Sequence, residues 1–285
     1  MFYRPLHLFT ASLLAAVLAV GLSAPPPCTA LAKTPESVAA ASVGAEAVAN
    51  AGRLMTETFH RYPVWFEQNL GQAATPDALF LGRSPDLILE LEPTRIVMRP
   101  ATTLLPDSAG PAANMVLLGA NPGVGVAGGT PLPISVGYLV GNDQTRWVNA
   151  AETFSTVRYS LVYPGIDLVY HSVEKSLEYD FVVAPQADTS TIRLGFERVS
   201  ALRLDGKGSL TLETEFGPLV LAAPVAWQER NGAKETVACR FEVSEAKEVG
   251  FAVGDYDRNL PLVIDPTLIY SAKQMDSAGF NPLYS

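Results

Sequence analysis

The sequence predicts an all-β protein, an antiparallel β-sandwich preceded by a short Ala-rich helix or linker. Three observations lead there. From about His60 onward, short runs rich in β-branched and aromatic side chains recur between turn signals. No amphipathic helix of three turns is found between residues 60 and 270. Nor is there a repeat of constant period, which argues against a propeller built from this segment. The length fits one large sandwich or two packed subdomains divided near residue 150.

Taken in order, the chain opens MFYRPLHLFTASLLAAVLAVGLSAPPPCTALA, with Arg4 ahead of an uncharged apolar run and small residues ending at Ala30-Leu31-Ala32. That is the pattern of a secretory signal peptide over residues 1–32, and it predicts export to the periplasm, the cell surface or the extracellular space. The apolar run is marginal for spanning a bilayer and ends in Pro25, Pro26 and Pro27, so no stable membrane span is expected after cleavage. Cys28 follows those prolines rather than the small residues of a lipoprotein signal. Cleavage removes one base, Arg4, from the 20 and none of the 29 acids, so the formal charge moves from −9 to −10. Such an acidic chain repels phosphate backbones and carries no basic cluster, which sets nucleic acid aside. Cys239 then remains as the single cysteine and cannot form an internal disulfide.

Residues 33–59 are rich in Ala and small polar side chains and read as a linker with a short helix. Residues 60–271 carry the sandwich. Within them, "DLILELEPTRIVMRP" reads as two strands around Glu92-Pro93-Thr94. In "ALRLDGKGSLTLETEF", apolar residues alternate on both sides of Asp205-Gly206-Lys207-Gly208, the signature of a hairpin. "TVACRFEV" reads as one strand with Val237, Cys239, Phe241 and Val243 on one face, which makes Cys239 a buried small hydrophobe rather than a nucleophile.

Several motifs invite chemistry. "GVGVAG" at 123–128 matches the G-x-G-x-x-G pattern, but a dinucleotide site needs a helix there, and Pro131 and Pro133 forbid one. The stretch reads as a flexible loop between strands. Only His60 and His171 remain after cleavage, so a multi-histidine zinc site is excluded. "VYPGIDLVYHSVEKSLEYDFVV" at 162–183 reads as two strands after the turn Tyr163-Pro164-Gly165, and gathers Asp167, His171, Glu178 and Asp180. Glu178 and Asp180 share a strand face about 7 Å apart by strand rise, the spacing of an inverting glycosidase pair. In-out alternation with Leu177, Tyr179 and Phe181 explains the same residues without chemistry, so they stand as catalytic candidates only, with Asp167 in reserve.

"DYDRNLPLVIDP" places Asp255, Asp257 and Asn259 at alternate positions like the start of a calcium loop, yet Leu260 and Pro261 stand where the loop's Gly belongs. A turn leading into a strand is the simpler account, and no cofactor is expected, with calcium on Asp255, Asp257 and Asn259 as the alternative. Trp65, Trp147 and Trp227 are the candidates for stacking on a sugar ring.

Seven phrases in one order, "FEQNLGQ" (66–72), "LLGANP" (117–122), "YLVGNDQTRW" (138–147), "VRYSLVYPGIDLVYH" (157–171), "LEYDFVVAPQAD" (177–188), "APVAWQE" (223–229) and "YDRNLPLVIDPTLIYS" (256–271), carry a resemblance. The chain resembles the N-terminal domain of unknown function of bacterial secreted proteins that bear SBBP-type β-propeller repeats. The resemblance covers about residues 62–271 and implies export and a place ahead of propeller repeats, with no catalytic residue to carry over. It ends where Ala272–Ser285 departs from Gly-rich repeat sequence, as a stand-alone version or a truncated or frameshifted longer protein would. These readings converge on a non-catalytic exported module, a scaffold or a binding unit, with a glycan or an envelope protein as partner. The alternative is a carbohydrate-active hydrolase or glycan-binding module using the carboxylates near 167–180.

Overall fold

The computed structural model describes residues 64–101, 110–139, 142–173 and 176–270. The signal peptide, the Ala-rich linker and the C-terminal tail read from the sequence lie outside the described residues. What is described is all-β: two large antiparallel sheets packed face to face, with helix confined to two short 3-10 turns, Gln144–Arg146 and Thr189–Thr191. Among the described residues no helix is long and apolar enough to cross a membrane.

With strands numbered in chain order, sheet A has ten. From edge to edge it begins with β18 (Cys239–Val243), β19 (Val249–Val253), β12 (Leu194–Glu197), β5 (Ala113–Leu117) and β4 (Arg95–Pro100). It continues through β3 (Leu87–Leu91), β2 (Phe80–Arg83), β1 (Trp65–Gln68), β8 (Val148–Phe154) and β7 (Pro131–Tyr138). Sheet B has eleven. Its main path is β13 (Val199–Leu204), β14 (Leu210–Thr214), β15 (Gly217–Leu221), β21 (Thr267–Ile269), β11 (Ser176–Val183), β10 (Ile166–Val173), β9 (Val157–Tyr163) and β6 (Gly125–Gly128). The hairpin of β16 (Val225–Arg230) and β17 (Ala233–Val237) joins it through β20 (Leu262–Asp265).

Sheet B forks because of one proline. β20 and β21 are halves of a single stretch, and both pair with β11: Ile264 with Phe181, Leu268 with Leu177. Pro266 between them has no N–H to give a ladder, so the stretch breaks there. On the far side, β20 takes β16 as its neighbour and β21 takes β15.

The two inner faces share one hydrophobic core. Its axis is a run of aromatic rings, Tyr159, Tyr170, Tyr179, Phe181, Phe251 and Phe241, with successive centroids 5.5–6.0 Å apart, passing from sheet B into sheet A. Edge-to-face and tilted pairs at such distances add to the area they bury. Two phenols also tie the sheets by hydrogen bonds: the Tyr159 hydroxyl donates to the Glu92 carbonyl at 2.8 Å and that of Tyr163 to the Arg193 carbonyl at 3.1 Å.

Several sequence readings survive intact. The two strands around Glu92-Pro93-Thr94 are β3 and β4, and the Asp-Gly hairpin joins β13 to β14 with Leu204 opposite Leu210. Tyr163-Pro164-Gly165 makes the turn from β9 into β10, and Gly165 adopts φ +71°, which a side chain would resist.

Two readings do not survive. "TVACRFEV" is two strands: β17 belongs to sheet B and β18 to sheet A, and the chain crosses the sandwich at Ala238, whose carbonyl accepts from the Gly254 N–H. Cys239, at the start of β18, is half-buried rather than fully buried, although Val237 and Phe241 on either side are buried. Period-2 alternation runs through such a crossing unchanged, so the pattern hides it. "GVGVAG" is not a loop throughout, because Gly125–Gly128 form β6 and pair with Gly128 opposite Val157 of β9. Glycine is there for closeness: a Cβ on Gly128 would sit 2.6 Å from the Phe154 ring. Gly128→Ala is therefore expected to cost about 1–3 kcal/mol, the scale of overpacking. Gly123→Ala, whose nearest neighbour is Asn121 Oδ1 at 3.5 Å, serves as the tolerated control in the same urea titration.

Candidate functional site

Strand alternation dictates what the outer face of sheet B carries. On β10, Ile166, Leu168 and Tyr170 are buried in the core, which turns Asp167, Val169 and His171 outward. On β11, buried Leu177, Tyr179 and Phe181 turn Glu178 and Asp180 outward. Register then decides which of these meet. His171 pairs with Glu178, and Glu178 with Thr267 on its other side. The Phe181–Ile264 pair sets Asp180 opposite Asp265 of β20. Four titratable side chains, His171, Glu178, Asp180 and Asp265, thus converge from three strands.

Their polar atoms are poorly satisfied. His171 Nε2 lies 3.1 Å from Asp180 Oδ2, an ion-pair distance, but the two are not aligned as a hydrogen bond. Asp180 Oδ1 and Asp265 Oδ1 are buried with no partner. Five buried side-chain polar atoms lack a hydrogen bond among the described residues; three belong to this cluster, and the others are the Tyr170 and Tyr179 hydroxyls in the core. Folded proteins leave few such atoms unpaired, so three at one place single it out.

The electrostatics agree with the geometry. The interaction with Asp180 raises the His171 pKa against the opposing effect of burial, and Glu178 and Asp265 add to the rise. Burial pushes the Glu178 carboxyl up, and the charge of Asp265 pushes it further. Burial raises Asp265 as well, followed by the charge of Asp180, while Lys234 and His171 pull it back. His171, Glu178 and Asp265 are each held where gaining a proton is favoured.

An indole flanks the cluster. Val225 pairs with Asp265 and Trp227 with Val263, so Trp227 emerges on the same outer face one row away. The Lys234 ammonium sits 3.7 Å from the centroid of its ring, a cation–π contact. Chemically, this surface offers carboxylate acceptors in want of donors beside an aromatic face, and it can hold or pass on a proton.

The other candidates are placed elsewhere. Asp167 accepts from the Arg158 guanidinium and, at 2.6 Å, from the Leu161 N–H, where the backbone takes φ +56°; it holds the β9–β10 bulge. Trp65 donates its indole N–H to Glu67 at 3.0 Å in sheet A, and Trp147, half-buried, precedes β8 of the same sheet, so the three tryptophans do not share a platform. Asp255 is exposed. The Asp257 carboxylate closes a turn, accepting from the Asn259 N–H and Nδ2, both at 3.0 Å, and facing Arg230 at 3.3 Å. Those Asn259 hydrogen bonds lower the Asp257 pKa. Among the described residues no group of three or more His, Cys, Asp or Glu is placed to hold a metal ion. Burial pushes the Cys239 thiol up to about 11, which keeps it protonated and poorly nucleophilic at neutral pH.

Much of what looked distinctive in the sequence is framework. In "FEQNLGQ", fully buried Glu67 accepts from Arg83 Nε at 2.7 Å and from the Tyr138 hydroxyl at 2.5 Å. Asn69 and Gln72 tie the following loop by bonds to Gly71, Ala73, Leu70 and Gln68. In "APVAWQE", buried Gln228 bonds Asp257, Leu260 and Pro261 and so pins the "YDRNLP" turn, while the Arg258 guanidinium reaches the Gln186 and Ala187 carbonyls of "APQAD".

Sequence reasoning missed Asp265 and Lys234. The strand "PLVID" alternates Val263 with Asp265, so an outward Asp265 was legible, but only the long-range pairing of β20 with β11 brings it to Asp180. Glu67 gave no signal as a buried acid, since its partners Arg83 and Tyr138 are distant in sequence.

No curated protein and no solved structure matches this chain. Residues 66–267, from β1 to the first residue of β21, match the family described as Domain of unknown function (DUF7948). That span takes in nearly the whole sandwich and well over half of the 285 residues, and the chain therefore belongs to the DUF7948 family.

Proposed function

We propose that this chain is an exported, non-catalytic β-sandwich module that binds a glycan on the outer face of sheet B. In longer proteins of the SBBP-repeat type that it resembles, it would precede the propeller. Export rests on the N-terminal signal pattern. One observation carries the binding reading: the half-buried carboxylates of Asp180 and Asp265 lie together beside Trp227 on the outer face. A polyhydroxyl ligand can donate to the exposed edges of those carboxylates, and the indole offers a face for a sugar ring once Lys234 swings aside. A glycan array followed by calorimetry tests it. Asp180→Asn and Asp265→Asn are each expected to weaken the affinity about 10–100-fold, the worth of a hydrogen bond to a charged group. Binding of no glycan, or binding indifferent to both substitutions, would overturn it.

Hydrolysis is the second reading, and one observation favours it: the raised Glu178 carboxyl is what a general acid needs. Asp167 no longer serves as a reserve, being committed to Arg158 and Leu161. Release of reducing sugar by the wild type but not by Glu178→Gln would establish hydrolysis in place of binding alone.

A further inference from the structure

The four titratable groups on the outer face of sheet B cannot all take their neutral-pH charges comfortably. Asp180 and Asp265 face each other on paired strands with one buried, unpartnered oxygen apiece. Glu178 lies two residues along the same strand face from Asp180, and His171 reaches back to Asp180 at 3.1 Å. Three carboxylates around one imidazole leave a surplus of acceptors and a shortage of protons.

The surroundings do not resolve this. From β9, Arg158 is taken up by Asp167 rather than by the cluster. From β17, Lys234 acts on Asp265 but rests on the Trp227 ring. From β21, Thr267 supplies only a long hydroxyl bond to Glu178, 3.4 Å.

We propose that His171, Glu178 and Asp265, gathered around Asp180, form a proton-operated switch on the binding face, taking up protons as a coupled unit as the pH falls. A proton on His171 turns its ring into a donor at both nitrogens, and a proton on Asp265 turns its orphaned acceptor into a donor toward Asp180. Deprotonated, the face presents carboxylates to a ligand's hydroxyls; protonated, those groups satisfy one another and release it.

The signs of the three shifts agree. A raised imidazole contributes stability that is present below its unfolded value, about 6.5, and is lost as pH rises through its folded value. Raised carboxyls on Glu178 and Asp265 penalise the ionised form, and the penalty is relieved as pH falls through their folded values. All three make the protonated face the more stable one.

The device rests on the glycan-binding reading for its purpose, but the proton is read without any ligand, so either idea can fail alone. The experiment is a two-dimensional NMR titration of the full chain, following the His171 ring nitrogens, identified by their loss in His171→Gln, and the carboxyl carbons of Asp265 and Glu178. The wild type is expected to show His171, Glu178 and Asp265 each titrating above the ordinary value of its own side-chain type. In Asp180→Asn, the His171 midpoint should fall toward its ordinary value. Asp265→Asn gives the second reading should that variant fail to fold, since it should lower Glu178 while leaving the ring contact to Asp180 in place. An imidazole at its ordinary value in the wild type, or midpoints that stay put in both variants, would overturn the switch.

Discussion

Glu67→Ala is expected to lower stability by about 3–5 kcal/mol, the cost of stripping one partner from a buried ion pair. The site explains the size. Glu67 is fully buried on β1, and its two oxygens receive Arg83 Nε at 2.7 Å, the Tyr138 hydroxyl at 2.5 Å, the Trp65 indole at 3.0 Å and Gln72 Nε2 at 3.4 Å. Burial alone would make the Arg83 guanidinium easier to deprotonate, but Glu67 and Tyr138 outweigh it and raise its pKa. Without Glu67, a cation that is 12% exposed and three neutral donors lose their acceptor together. For a domain of this size the loss corresponds to a fall in Tm of about 6–20 °C, checked by calorimetry. Glu67→Gln, which keeps an acceptor oxygen but not the charge, should lie between the two. If Glu67→Ala melts with the wild type, the network contributes nothing to the fold.

Phe181→Ala is expected to cost a further range of about 3–5 kcal/mol by opening a cavity between the sheets. Phe181 is fully buried at the crossing of the aromatic run, 6.0 Å from Tyr179 within its own sheet and 5.7 Å from Phe251 of the opposite one. Its removal deprives both rings of an edge-to-face partner and leaves a space that strands locked by their ladders cannot collapse to fill. Val182→Ala, one residue along and half-exposed on the outer face, should cost far less in the same denaturant titration. Equal losses at the two positions would show that β11 is not held between core and solvent as its alternation implies.

The polar residues of the 162–183 stretch divide into two groups. Asp167, His171, Glu178 and Asp180 do occupy the outward side of two paired strands, as simple alternation requires. One of them, Asp167, is consumed by the bulge that ends β9, whereas the other three join an acid from a strand more than eighty residues downstream. Plain alternation and a convergent titratable cluster therefore coexist in the same residues.

By itself, the sequence determined the local terms: strand after strand from period-2 patterning, the Asp-Gly hairpin, the turn at Gly165, and which side of each strand faces the core. These follow from propensity, turn chemistry and burial, which act between neighbours. Tertiary structure alone decided the rest. Alternation is identical whether a chain stays in its sheet or crosses to the other, so the passage at Ala238 was hidden within "TVACRFEV". Pro266 marks a break in any strand, but only the neighbours on either side turn that break into a fork of the sheet. A carboxylate in an extended segment looks the same whether it will meet solvent, an arginine or another carboxylate. Glu67 became a buried anchor and Asp265 a member of the cluster through strand pairings that span the chain, and pairings of that range leave no mark on the residues near either end.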